Sequence, residues 1–208
     1  MKRIAFSLLI LLAGQSHAAA FQNGSFELGS FSGTPAFDTI GAGSSAITGW
    51  QVLGHSVDWI NQSFWQSSNG RLSIDLNGAG FGGLAQTFDT IAGQRYTVNF
   101  DLAGNPDRQS VKSVAVNAGD FSQTFLFNSV GHSFGNMGWS KQSFSFTAQA
   151  NQTTLSFVSP TNDGNTYWGA ALDNVSVQVA PVPEPETYAL MGLGLLGLIA
   201  SRRRRIQN

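Results

Sequence analysis

The strongest constraint on the fold is a series of short segments that alternate apolar and polar residues with period two. Arg71–Leu76, Tyr96–Leu102, Ser143–Thr147, Thr154–Val158 and Leu172–Val179 all alternate. Val114–Val116 is a shorter case and Thr124–Phe127 a denser apolar run. Side chains along a strand point to opposite faces, so these runs are expected to be half-buried antiparallel strands. Turn signals punctuate them at Asn77-Gly78, Ala92-Gly93, Asn105-Pro106-Asp107, Ala118-Gly119-Asp120 and Asp163-Gly164-Asn165. About nine or ten short strands at this spacing predict an all-β chain, a β-sandwich of the jelly-roll type.

The two ends have a different character. Lys2-Arg3, the apolar run Ile4–Leu12 and the small residues Ala18-Ala19-Ala20 have the order of a Sec signal peptide, residues 1–20. At the other end come Pro183, Glu184 and Pro185, then the uncharged run Tyr188–Ala200, then Arg202, Arg203, Arg204 and Arg205. At about 1.5 Å per residue that run makes a helix of roughly 20 Å, short of the ~30 Å hydrocarbon core. Local thinning and arginine snorkelling are expected to cover the difference, giving a transmembrane segment at 188–200 with a cytoplasmic C-terminus. Triplet, apolar run and basic stop together resemble the PEP-CTERM sorting signal of Gram-negative bacteria. The resemblance implies an exosortase-type membrane protease as partner and a transient inner-membrane tether during sorting. It also implies a final place at the cell surface or in the extracellular matrix of exopolysaccharide-producing, biofilm-forming bacteria.

Between the ends, residues 21–180 are expected to form one domain, with 181–208 as the sorting segment. Six of the eleven Lys and Arg lie in the two targeting segments, so the body holds five basic and ten acidic residues. An acidic, charge-poor body argues against nucleic acid as a partner, because clustered Lys and Arg are needed to displace counterions. The chain has no cysteine. That removes disulfides, thiol catalysis and thiolate metal sites.

Several motifs recur along the body. Asn23-Gly24-Ser25-Phe26-Glu27 opens it, followed by Thr48-Gly49-Trp50 and Gly93-Gln94-Arg95-Tyr96. Leu172-Asp173-Asn174-Val175 closes it. This series resembles the choice-of-anchor C family, with a galactose-binding-like jelly roll. The resemblance implies affinity for cell-wall or matrix polysaccharide and no known catalytic activity. In that wider fold the first and last strands lie together and a structural cation often bridges them. The matching residues here are Glu27 and Asp173, which with nearby carbonyls would supply the six to eight oxygens Ca²⁺ prefers. The alternative is that Glu27 caps a turn and Asp173 binds neighbouring backbone amides. His55 and His132 are isolated, which does not fit zinc.

Five tryptophans are present. Trp59 and Trp65 sit among Asn, Gln and Ser, and Tyr167 and Trp168 follow the polar stretch Thr161-Asn162-Asp163-Gly164-Asn165. Aromatic faces among amides suit sugar rings, which stack on the apolar face and bond through their hydroxyls. These four are therefore the candidate ligand contacts; the alternative is an aromatic plug closing one end of the sandwich. Trp50 is expected in the core. No motif singles out a catalytic carboxylate: Asp75 and Asp101 occupy polar strand positions where solvent exposure is expected, and Asp107 occupies a turn. The sequence thus reads as an exported, non-catalytic sandwich that binds or organises extracellular polysaccharide. The alternatives are a structural matrix protein with no sugar site, or a polysaccharide-processing enzyme.

Overall fold

The alternating runs are strands of two packed antiparallel sheets. The computed structural model describes residues 19–32, 36–160 and 166–181, and four positions of the C-terminal segment: 191, 193, 195 and 196. Among the described residues eleven strands are formed: β1 (Phe37–Gly41), β2 (Gln51–Gly54), β3 (Ser56–Asn61), β4 (Leu72–Asp75), β5 (Gly82–Asp89), β6 (Arg95–Gly104), β7 (Val111–Ala118), β8 (Phe121–Asn128), β9 (Ser140–Thr147), β10 (Gln152–Val158) and β11 (Ala170–Val179). One sheet has the order β1-β3-β4-β11-β6-β9, the other β2-β5-β10-β7-β8. The expected all-β sandwich is what the chain forms. Asn77-Gly78, Ala92-Gly93, Asn105-Pro106-Asp107 and Gly119-Asp120 lie between consecutive strands, Ala118 ends β7, and Asp163-Gly164-Asn165 lies outside the described residues. The signal peptide (up to residue 18), the Pro183–Pro185 triplet and the four arginines lie outside the described residues. Most of the expected 188–200 membrane segment does too. Among the described residues no helix is long and apolar enough to cross a membrane.

The core lies between the sheets. Leu72, Ile74, Val98, Phe100, Leu102 and Leu172 point inward from the six-stranded sheet; Leu84, Val114, Val116, Leu155 and Phe157 meet them from the five-stranded one. Phe100 and Phe157 meet edge to face at 5.1 Å between ring centroids. Trp50 is buried in this core, as its sequence neighbourhood predicts.

The opening motif is a lock rather than a strand. Phe26 has φ of 60°, a left-handed conformation that is rare for a bulky residue. That turn drives its ring into the core beside Trp50 and aims its carbonyl at the Trp59 indole N–H, 3.0 Å away. Val175 N–H donates to the Gly24 carbonyl at 2.8 Å, tying the N-terminal segment to the last strand. A Cβ on Gly24 would sit 1.7 Å from the Val175 carbonyl oxygen, so only glycine fits there. β11 is irregular between Asp173 and Ser176, with Asn174 at φ of 53°.

Candidate functional site

Pairing register puts carboxylates in rows on the outward face of the six-stranded sheet. Asp58 on β3 sits directly opposite Asp75 on β4, and Asp173 on β11 opposite Asp101 on β6. Like charges facing each other across strands are destabilising unless something compensates. Here irregular loops fold over the face and donate N–H groups to it.

The first loop is 62–70. Ser68 N–H and Asn69 N–H both donate to Asp173 Oδ2 at 2.8 Å. Ser68 Oγ donates to Asp101 Oδ2, and Asn174 Nδ2 reaches the same oxygen at 3.0 Å. Burial pushes Asp173 up to about 7, against the pull of the Asn69, Asn174 and Ser68 amides; the nearby Asp101 adds to the rise. Trp65 anchors the loop, 1% exposed, with its indole N–H on Ser73 Oγ at 2.7 Å. Trp139 Nε1 donates to the Gln66 carbonyl at 2.8 Å, so that tryptophan straps the loop from outside.

The second cover is the segment before β11. Asp75 is buried and accepts from Asn77 N–H at 2.9 Å, Gly169 N–H at 3.0 Å and Asn105 Nδ2 at 2.8 Å. Burial pushes its pKa up to about 8; the Asn77 N–H and Asn105 amide oppose this, the charge of Asp58 adds to it, and the Gly169 N–H opposes it. The peptide between Trp168 and Gly169 is held from both sides. Its N–H meets Asp75, and its carbonyl accepts from the buried Lys112 Nζ at 2.8 Å. Lys112 reaches across the sandwich from β7 in the opposite sheet. Gly104 makes room for it, since a Cβ there would come within 2.6 Å of Lys112 Cγ. A buried cation and a buried carboxylate thus clamp one peptide bond, and with it the aromatic pair.

A cleft of about 280 Å³ opens beside this clamp. Thr39, Asp58, Asn105, Asp107, Tyr167 and Trp168 supply its polar and aromatic lining, and Phe37 and Phe64 an apolar side. Asp58 accepts from Thr39 Oγ1 at 2.6 Å; burial pushes it up to about 6, with the Thr39 hydroxyl opposing. Asn105 is fixed at both ends, its Nδ2 on Asp75 and its Oδ1 accepting Asp107 N–H at 3.0 Å. The cleft offers one exposed ring (Tyr167, 54% exposed), a half-buried indole (Trp168), an oriented amide and a carboxylate. Aromatic faces with a few fixed polar groups are the furnishing of a small polar-ligand site.

The sequence-predicted contacts divide. Tyr167 and Trp168 lie together on the cleft. Trp59 and Trp65 do not join them. Trp59 is 0% exposed, its indole on the Phe26 carbonyl and its ring against Phe31, so neither face is open to a ligand. These two belong to the aromatic packing weighed as their alternative. Asp75 and Asp101 are buried rather than exposed, because the loops cover the face they occupy. In the sequence Asn105 has only a turn role, and nothing marks Thr39 or Asp58 as a ligand contact. The signal that unites Thr39, Asp58 and Asp75 is register, one cross-strand row over three strands.

Glu27 and Asp173, the expected calcium pair, both accept backbone amides. Glu27 Oε1 accepts the Arg71 and Leu72 N–H groups, both at 2.7 Å, and so caps the 70–72 turn. Asp173 Oδ2 accepts Ser68 and Asn69 amides, and Oδ1 the Asn174 amide at 2.6 Å. Among the described residues no group of three or more His, Asp or Glu could hold a metal ion.

Comparison with known proteins gives two family matches. The model described as "Protein of unknown function (DUF642)" matches residues 19–178, and the PEP-CTERM protein-sorting motif matches residues 181–205. Halomucin of Haloquadratum walsbyi is 31% identical over 185 residues, covering 84% of this chain and 2% of halomucin. The chain thus spans about 2% of the length of that curated relative. Among solved structures, TmCBM61 in complex with beta-1,4-galactotriose is similar at a TM-score of 0.47 and 15% identity, covering 78% of this chain and 99% of that one. A family 35 carbohydrate binding module from Clostridium thermocellum is similar at 0.46 and 10% identity, covering 69% and 98%.

Proposed function

From the premise that this chain belongs to the DUF642 family, we propose that it is an exported, non-catalytic surface or matrix protein of the choice-of-anchor C type that binds extracellular polysaccharide in the Tyr167–Trp168 cleft. The observation that carries this reading is the clamped aromatic pair beside the oriented Asn105 amide and the Asp58 carboxylate. A sugar ring stacks on Tyr167 and Trp168, while Asn105, Thr39 and Asp58 bond its hydroxyls. The C-terminal motif supports export and sorting by an exosortase-type protease. In this reading residues 1–20 are the signal peptide and 188–200 the temporary inner-membrane anchor. Asp75 supports a binding rather than a catalytic role, because its oxygens are engaged by three N–H donors.

The test is binding of the exported protein to a panel of bacterial and plant polysaccharides, with Tyr167→Ala and Trp168→Ala alongside. The reading expects saturable binding to a few glycans, weakened about five- to tenfold by either change, in line with ~1–1.5 kcal/mol for a lost aromatic contact. Binding to no polysaccharide by the folded protein, or equal binding by all three proteins, would overturn it. Release of reducing ends from a polysaccharide would revive the enzyme reading.

A further inference from the structure

Among the described residues four strands form the edges of the two sheets: β1 and β9 in one, β2 and β8 in the other. An edge strand presents unpaired N–H and C=O groups, and proteins guard such edges with short strands, charges, proline or bulges. Three of the four are guarded. β1 has five residues and carries Asp38, β2 has only four residues, and β9 carries Lys141. β8 is eight residues long, Phe-Ser-Gln-Thr-Phe-Leu-Phe-Asn, with no charge and no proline. It pairs with β7 without a bulge, from Val111↔Asn128 to Ala118↔Phe121, and among the described residues no strand pairs with its other side.

β8 is also firmly held. Phe121 stacks on Phe144 at 4.0 Å and Phe125 meets Phe100 edge to face at 5.1 Å. Its other face turns outward, with Ser122, Thr124, Asn128 and Leu126, the last 63% exposed. Exposed Val111 on β7 and Val130 just past β8 extend that apolar patch.

We propose that β8 is a self-association edge, which pairs antiparallel with β8 of a second copy about a two-fold axis and fuses two five-stranded sheets into one. A two-fold pairing sets a strand against itself, so any charge near its centre meets a like charge. β8 carries none, and its Ser, Thr, Leu and Asn make neutral cross-strand pairs. The nearest charge, Asp120 in the preceding turn, is carried by the two-fold to the far end of the partner strand, beside Val130 rather than its own copy. A partner of opposite charge has nothing on this strand to read. The inference does not depend on the cleft.

Because the chain has no cysteine, single cysteines report the contact cleanly. Ser122→Cys, Thr124→Cys and Leu126→Cys are made one at a time in the full chain, purified in detergent, with Gln51→Cys on β2 as control. Mild oxidation is expected to give covalent dimer that peaks near the middle of β8 and is at background for Gln51→Cys. Leu126→Lys, added to the best cross-linking variant, is expected to cut dimer about tenfold by setting like charges across the axis, with the thermal melt unchanged. Equal cross-linking on β2 and β8, no cross-linking on β8, or dimer that survives Leu126→Lys would each overturn the proposal. The last result would assign the association to the tail.

Discussion

The outward faces of the two sheets could hardly differ more. The six-stranded sheet sets Asp58 against Asp75 and Asp101 against Asp173, then buries them under loops. The five-stranded sheet carries a neutral row, Gln51-Ala85-Ser156-Asn117-Ser122, with the Thr87–Thr154 hydroxyl pair beside it. Asp89, at one end of β5, is the charge on that face. The difference shows what the carboxylates do. A loop cannot satisfy its own amides in a regular ladder, so it needs acceptors in fixed positions. Buried aspartates provide them, and the irregular segments they organise form the cleft. Among the described residues the neutral face holds no such buried carboxylates, and Gln51, Thr87, Asn117, Ser122 and Thr154 on it are exposed.

Several outcomes would break or sharpen this contrast. The largest effect is expected for Asp75→Ala, which strands the Asn77, Gly169 and Asn105 donors in a buried place. At about 1–3 kcal/mol per unsatisfied buried group, a loss of roughly 3–5 kcal/mol should appear in the denaturant midpoint. Asp173→Ala should cost less, about 2 kcal/mol, because loop 62–70 keeps its Trp65 and Trp139 anchors. Its mark is faster hydrogen exchange at Ser68, Asn69 and Asn174. A dependence on pH is expected too. Burial raises Asp75 to about 8 and Asp58 to about 6 from the ordinary 3.8. Between those values the native state holds more protons than the unfolded chain, so these two groups make stability fall as pH rises from 4 to 8. Melting curves should show that slope and Asp75→Asn should flatten it. Lys112→Met should cost about 1–3 kcal/mol, because the Trp168 carbonyl loses its donor. It should also weaken glycan binding several-fold by freeing that carbonyl. Smallest of all, Thr154→Ala on the open face should stay within about 0.5 kcal/mol. A Thr154→Ala loss as large as that of Asp75→Ala would erase the contrast between the faces.

How much of this is legible in the sequence follows from how far each signal reaches. Period-two alternation is local, so Tyr96–Leu102 and Ser143–Thr147 were readable as strands and the sandwich with them. β1, β2 and β3 do not alternate cleanly, and only their pairing reveals them. Tyr167 and Trp168 stood out because an exposed aromatic pair in a polar segment is visible from composition. Trp59 and Trp65 looked the same, yet one faces inward from β3 and the other is tucked under its loop. Exposure there depends on a cover that the local sequence does not encode. Asp75 and Asp101 misled for the same reason: a polar strand position predicts solvent only when nothing folds over it. Lys112 was invisible as a clamp, since its contact with Trp168 spans 56 residues.

The most direct test is hydrogen exchange of the full chain, with and without a polysaccharide it retains. The account predicts added protection at Asn105, Asp107 and Trp168–Gly169, with Thr87, Thr154 and Ser156 unchanged. Protection centred on that neutral face, with the cleft unaffected, would contradict it.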